Sequence, residues 1–341
     1  MKIIFMGTPD FAAESLKAIY EAGHEILSVV TNPDRPKGRG MKLIATPVKQ
    51  YAQEKEIKIY QPQKVKGNTE FIEEIKSQKP DVICVVAYGK ILPNEILEIP
   101  KYGCINVHAS LLPKYRGAAP IQWAVLNGDK NTGVTTMYMD TGMDTGDMIL
   151  KEEVQIGEYE TTGELWERLS KIGAKLLVKT LKEIESGTVK REKQGTDYTM
   201  APMLEKSMAQ IDWKNQTAEQ IKNLVRGLNP IMGAYTYVND KKIKFWKVEL
   251  KPITEEIAKK GITDDIYTLI NNTQVRPTAN IVVSKCTAQE YIENSKPLFE
   301  PLISKYYEVF VSSSKYTGYT VNAKIGDFFD KMVCNACEPY A

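Results

Sequence analysis

The chain has 341 residues, 43% hydrophobic and 26% charged, with 45 Lys and Arg against 43 Asp and Glu for a formal net charge of +2. That length provides for two domains with substantial cores, and the charge balance excludes a uniformly basic nucleic-acid wrapper while leaving room for a local patch. Five cysteines are too few and too scattered for a disulfide-stapled secreted scaffold.

Lys2–Met6 is an apolar run of strand length, too short for a signal peptide. No stretch of about 18 apolar residues follows that could span a membrane, so a cytoplasmic chain away from membranes is expected. Thr8-Pro9-Asp10 supplies a helix start with Thr8 as N-cap, and Leu16, Ile19 and Tyr20 form the apolar face of that helix. Glu25–Thr31 reads as a strand. Thr46-Pro47 opens a helix with Val48, Tyr51 and Ala52 on one side, and Ile57–Tyr60 is a short strand. Asn68 caps a helix carrying Phe71, Ile72 and Ile75. Asp81–Ala87 is almost continuously apolar, the pattern of a parallel strand buried on both faces, and Gly103–Ser110 is a further strand. Strands alternating with short helices predict an α/β domain with a doubly wound, mostly parallel sheet.

Thr132–Asp140 and Met148–Ile156 are expected to pair antiparallel, and Thr161–Ser186 to form a long helix with Leu165, Leu169, Ile172, Leu176 and Leu177 inward. Gly187–Glu205 lacks helical periodicity and is rich in charge, Gly and Thr. These features divide the chain into a first domain over 1–189, a linker over 190–206 and a smaller β-rich domain over 207–341. The second domain opens with a helix from Thr217 to Gly227. Strands Ala234–Val238 and Lys242–Leu250 follow around an Asn239-Asp240 turn, then β-like runs Asn280–Ser284, Tyr306–Ser312 and Tyr319–Ile325.

Four stretches carry candidate chemistry. In the strand GCINVHAS, alternation sends Ile105 and Val107 to one face and Asn106 and His108 to the other. An amide donor and an imidazole thus project together near the C-terminal end of a strand, where open α/β sheets bind ligands. Together they can hold a developing oxyanion, or they can be a buried pair satisfied by loop backbone. Ser110–Pro120, with Pro113, Gly117 and Pro120, describes a rigid shaped loop. In DTGMDTGD, Asp140 or Asp144 could orient His108; the spacing is not that of an EF-hand. Asn32–Lys66 holds Arg35, Lys37, Arg39, Lys42, Lys49, Lys55, Lys58, Lys64 and Lys66 against Asp34, Glu54 and Glu56. The first four of these cations sit in a Gly/Pro loop suited to a phosphate backbone, or simply to solvent. Cys334-Asn335-Ala336-Cys337 is a lone CxxC without a second pair for zinc, His24 reads as structural, and Gly7-Thr8-Pro9 lacks dinucleotide-fingerprint spacing.

The order and spacing of MGTPDF (6–11), NPDRPKGRG (32–40), VVAYGKILP (85–93), GCINVHASLLPKYRGAAPIQWA (103–124) and DTGMDTGDM (140–148) resemble the methionyl-tRNA formyltransferase family over residues 1–250. Ile211-Asp212-Trp213 and Asn229-Pro230 add to the likeness. The resemblance implies formyl transfer from 10-formyltetrahydrofolate to the α-amino group of methionyl initiator tRNA, with no metal and the protein expected to act as a monomer. It implies Asn106, His108 and Asp144 as catalytic residues and Ser110, Leu111, Leu112 and Pro113 as the folate-binding segment. Arg35, Lys37, Arg39 and Lys42 are implied for tRNA, with Arg39 in the loop that enters the acceptor stem, and an OB-like barrel as the second domain. Two other readings stand beside it: a related 10-formyltetrahydrofolate-dependent enzyme acting on a small amine, and an RNA-binding protein that has lost activity. Past Leu250 the resemblance ends, and Lys251–Ala341 carries ten basic and eleven acidic residues, where a tRNA-holding barrel should be basic.

Overall fold

The computed structural model describes residues 1–37, 42–213, 215–238 and 241–250, together with the backbone of three later strands, 280–283, 306–313 and 317–324. Five of the six residues of β1 (Lys2–Gly7) are fully or almost fully inaccessible, as are all five of β6 (Val82–Val86). Strands apolar on both faces must be covered on both faces, and that requirement selects a central sheet sandwiched by helices.

The sheet has seven strands. With β2 (Glu25–Val30), β5 (Ile59–Tyr60), β7 (Cys104–His108), β8 (Asn131–Tyr138) and β9 (Met148–Gln155), its order is β5-β2-β1-β6-β7-β8-β9. The first five are parallel to one another, and β8 runs antiparallel to both β7 and β9. After β1 the chain builds outward through β2 to β5, then returns to the other side of β1 for β6 and β7. The strand order therefore reverses between β1 and β6, and a crevice opens at their C-terminal ends, the usual ligand position in such sheets.

Helix α1 (Asp10–Glu21) buries Phe11, Ala12, Leu16 and Ile19 against the sheet. Its N-cap is Pro9 and not, as expected, Thr8. The Thr8 hydroxyl instead accepts the Asn32 side-chain amide at 3.0 Å, and the same amide nitrogen donates to the Tyr88 carbonyl at 2.9 Å. Thr8 is diverted because three loops converge at the crevice and Asn32 joins them. The other two expected caps hold: Thr46 accepts Lys49 N–H at 3.2 Å at the start of α2 (Pro47–Glu54), and Asn68 accepts Phe71 N–H at 3.2 Å at α3 (Thr69–Ser77). After the short α4 (Asn94–Leu97) and α5 (Pro120–Leu126), α6 (Thr162–Glu185) buries Leu165, Leu169, Leu176, Leu177, Leu181 and Ile184. Among the described residues no helix is long and apolar enough to cross a membrane.

The chain separates into two compact units, the first made of Met1–Ala124, Lys130–Glu158 and Glu164–Met203. The stretch expected as a linker, 190–206, is thus bound along the first unit as far as Met203. Its sequence has no helical periodicity, but its backbone finds partners: Met148 and Glu192 exchange N–H···O bonds of 2.8 and 2.9 Å, and Ala201 N–H donates to Arg116 O at 2.7 Å.

The second unit comprises Val125–Asp129, Tyr159–Gly163 and the described residues from Leu204 onward. Its α7 (Ala218–Gly227) starts at a capping box between Thr217 and Gln220. Ile221, Leu224 and Val225 of that helix pack with Ile211, Ala234, Phe245 and Val248. Strands β10 (Ala234–Val238) and β11 (Lys241–Phe245) are antiparallel, as expected of a hairpin. Strand β12 (Lys247–Leu250) pairs in parallel with β13 (Asn280–Val283), and β14 (Tyr306–Ser313) antiparallel with β15 (Thr317–Lys324). The Asn239-Asp240 turn, the Cys334/Cys337 pair and any closure into a barrel lie outside the described residues.

Candidate active site

Strand β7 lies between β6 and β8, and its alternation is the expected one. Ile105 and Val107 are buried on one face, while Asn106 is half-buried and His108 almost fully buried on the other. The imidazole sits between two partners. Its Nε2 is 2.8 Å from the Tyr115 carbonyl oxygen, and its Nδ1 is 3.6 Å from Asp144 Oδ1. A carbonyl can only accept, so Nε2 carries a proton; in the neutral ring Nδ1 is then the bare nitrogen. Asn106 Nδ2 points at the same Asp144 Oδ1, at 3.5 Å. The second carboxylate oxygen, Oδ2, accepts Gly117 N–H at 2.8 Å.

Of the two candidate carboxylates, then, the geometry selects Asp144. Asp140 instead accepts Gly142 N–H at 3.0 Å and the Thr145 hydroxyl at 2.6 Å, bracing the Gly-rich turn. Asp144 has φ +54°, in the left-handed region that Asp tolerates better than most residues. Gly117 is at φ +125°, and a Cβ there would stand 2.7 Å from Ala201 O. Only glycine lets its N–H reach Asp144.

Residues Ser110–Pro113 shape the floor of the site. Ser110 Oγ donates to Lys114 O at 2.6 Å, and Leu112 is buried against Met137 and Met148. The Thr135 hydroxyl accepts Leu112 N–H at 3.1 Å and donates to Ser110 O at 2.7 Å. The Ser110 and Leu112 side chains are buried in this turn, and Leu111 and Pro113 are half-exposed. Tyr115, Gly117 and Gln194 enter the site without having been expected there. Gly117 was visible as the glycine of a rigid loop, whereas Gln194 had no sequence signal.

The basic segment is a short hairpin where an irregular loop was expected: β3 (Arg35–Lys37) pairs antiparallel with β4 (Lys42–Ile44). Arg35 is exposed, and Arg39 lies outside the described residues. At the base, Asp34 takes hydrogen bonds from Lys49 Nζ at 2.5 Å and Gln61 Nε2 at 2.8 Å. The Lys49 bond first, then the Gln61 bond, holds the Asp34 carboxyl below its ordinary range.

Among the described residues no group of three or more His, Cys, Asp or Glu is placed to hold a metal ion. The Cys84 and Cys104 thiols are buried, and burial pushes Cys104 up to about 12, so neither is a nucleophile. The donor set at the end of β7 is a neutral amide, an imidazole and a carboxylate. It suits an amide-like carbonyl whose oxygen gains negative charge as an amine attacks.

On a doubly wound α/β fold, that donor set fits a group transferase acting on such a carbonyl. The chain belongs to the formyl transferase family: the family's profile, "Formyl transferase", matches residues 1–181, and "Formyl transferase, C-terminal domain" matches residues 203–275. The second match runs past Leu250, so the family likeness extends into the tail, where none was expected. The methionyl-tRNA formyltransferase of Caldanaerobacter subterraneus subsp. tengcongensis is 53% identical over 251 residues, 73% of this chain and 81% of that protein. That of Clostridioides difficile is 54% identical over 272 residues, 80% of this chain and 85% of that protein. In fold the chain is similar to an N-formyltransferase from Helicobacter canadensis, solved in complex with folinic acid and dTDP-3-aminofucose. The TM-score is 0.54 at 22% identity, covering 71% of this chain and 86% of that one.

Proposed function

We propose that the protein transfers the formyl group of 10-formyltetrahydrofolate to the α-amino group of methionyl initiator tRNA, acting as a monomer in the cytoplasm. The observation that carries the reading is the convergence of Asn106 Nδ2 and His108 Nδ1 on one oxygen of Asp144, at 3.5 and 3.6 Å. The identity of more than half of the aligned residues to named methionyl-tRNA formyltransferases supports the choice of acceptor.

Bound 10-formyltetrahydrofolate supplies the electrophilic formyl carbon. Asn106 offers an N–H to the oxygen on which charge develops, and donors of this kind typically lower a barrier by about 2.7–4 kcal/mol. His108, with its Nε2 proton engaged by Tyr115 O, takes up a proton only at Nδ1, on the Asp144 side. Asp144 stabilises the resulting imidazolium, and the proton lost by the attacking amine is relayed past its carboxylate, directly or through one water, to the folate nitrogen as the bond from that nitrogen to the formyl carbon breaks, so that tetrahydrofolate leaves neutral. The hairpin cations Arg35, Lys37 and Lys42, with Arg39 between them, hold the acceptor stem through phosphate contacts. Leu111 and Pro113 border the folate position, with Ser110 and Leu112 shaping the turn from within.

The test is formyl transfer from labelled 10-formyltetrahydrofolate to charged initiator tRNA, compared with amino-sugar nucleotides and glycinamide ribonucleotide as acceptors. Transfer to the charged tRNA alone supports the reading. Preference for a small amine moves the assignment to a related transferase, and no transfer to any acceptor overturns it.

A further inference from the structure

We infer that Gln194 is a positioning residue for Asp144, acting on the reaction through the geometry of that carboxylate. The Gln194 side-chain nitrogen donates to two carbonyl oxygens of the Gly-rich loop, Asp144 O and Gly146 O, both at 2.8 Å. Its side-chain oxygen accepts Arg116 Nε–H at 2.9 Å. Arg116 is itself nearly buried, with its guanidinium 4.5 Å from the centre of the Tyr198 ring.

The position of Arg116 makes this more than a loop tie. Its neighbours in the chain are the two backbone groups that hold the site: Tyr115 O, bonded to His108 Nε2, and Gly117 N–H, bonded to Asp144 Oδ2. The segment around Gln194 fixes that tripeptide a second time, through Tyr115 N–H to Thr199 Oγ1 and Arg116 N–H to Thr199 O, both at 2.8 Å. One amide thus ties the backbone that presents the Asp144 carboxylate to the side chain of Arg116, the residue between the two backbone groups that hold the site. Asp144 holds a positive φ, which a residue with a side chain keeps when its surroundings over-determine it.

Only a primary amide of this length serves. It presents two donors on one nitrogen and an acceptor on the adjacent oxygen; a carboxylate has no donor and an ammonium no acceptor. Gln194→Glu therefore keeps the partner of Arg116 while setting an oxygen against two carbonyl oxygens. A displacement of about 1 Å at a reacting group costs up to about 10²-fold in rate.

The inference rests on the formyltransferase reading of the site, and the experiment separates the two. In the full chain, Gln194→Glu and Gln194→Ala are compared with Asp144→Asn and with the double variant Gln194→Glu/Asp144→Asn. The expected result is a fall of about 10- to 100-fold in kcat for both Gln194 variants, with KM for 10-formyltetrahydrofolate and for charged tRNA nearly unchanged. In the Asp144→Asn background, Gln194→Glu should cost little more, because its effect passes through Asp144. The chain has only two histidines, His24 and His108, so imidazole nitrogen resonances report the site without any assay. The His108 signals should move in both Gln194 variants while those of His24 stay in place. Losses that multiply in the double variant overturn the inference, as do His108 resonances that match the parent protein. Should the parent protein fail to transfer formyl groups, the resonances still decide whether Gln194 positions the site.

Discussion

His108 Nε2 lies 2.8 Å from the carbonyl oxygen of Tyr115, seven residues further along the chain. This bond assigns one proton of the ring to the loop and leaves the other nitrogen to face Asp144. The catalytic behaviour expected of the site follows from that division of labour.

Asp144→Asn keeps the volume of the side chain and an oxygen for Gly117 N–H, but removes the charge opposite His108 Nδ1. Loss of general acid–base assistance of this type costs about 10²–10⁴-fold in rate. The fall should appear in kcat, measured by quenched single-turnover formyl transfer, with KM for both substrates within a few-fold of the parent. Retention of more than half the rate would remove Asp144 from the mechanism.

Gly117→Ala puts a Cβ 2.7 Å from Ala201 O at a backbone φ of +125°. A strained backbone of this kind costs on the order of 1–3 kcal/mol. Calorimetric unfolding should show a lower Tm, and the activity of the folded fraction should fall because the Asp144 Oδ2 donor shifts. A stable, fully active Gly117→Ala protein would show that this loop is not held as described.

Asp34 contributes a pH dependence to stability. Its carboxyl is lowered in the folded protein by the Lys49 and Gln61 hydrogen bonds. Its contribution is therefore present above the unfolded carboxylate value of about 3.9 and is lost as the pH falls through the lower folded value. Denaturant midpoints measured from pH 6 down to about pH 2 should fall less steeply below about pH 4 in Asp34→Asn than in the parent. Identical slopes would mean that the Lys49–Asp34 bond is not made in solution.

The basic hairpin predicts a salt signature. Arg39→Ala, and separately Arg35→Ala, should raise KM for charged tRNA while leaving KM for 10-formyltetrahydrofolate unchanged. Each should also lower the slope of log affinity against log salt by up to about 1. Equal losses for both substrates would place these cations elsewhere than on the nucleic acid.

Much of the first unit was legible because its signals are local. Val82–Val86 is buried on both faces and reads so from composition; Asn106 and His108 share a face by strand alternation alone. What escaped depends on partners distant in sequence. Asp140-Thr141-Gly142 and Asp144-Thr145-Gly146 are the same tripeptide, and only the approach of Gly117 N–H distinguishes the carboxylate that faces His108. Thr8 was a sound N-cap until Asn32 claimed its hydroxyl. Gln194 works fifty residues from Asp144, in a stretch whose charge and glycine content resemble a linker's. Thr135, which accepts Leu112 N–H and donates to Ser110 O, comes from another strand, so its part in that turn has no local signal.

The role of Asn106 is tested by single-turnover formyl transfer from labelled 10-formyltetrahydrofolate to methionyl initiator tRNA with the Asn106→Ala protein. The variant removes the amide expected at the developing oxyanion and leaves the His108–Tyr115 and Asp144–Gly117 bonds in place. The rate should fall about 10²–10³-fold with both substrates still bound. An unchanged kcat/KM would remove Asn106 from the oxyanion's stabilisation.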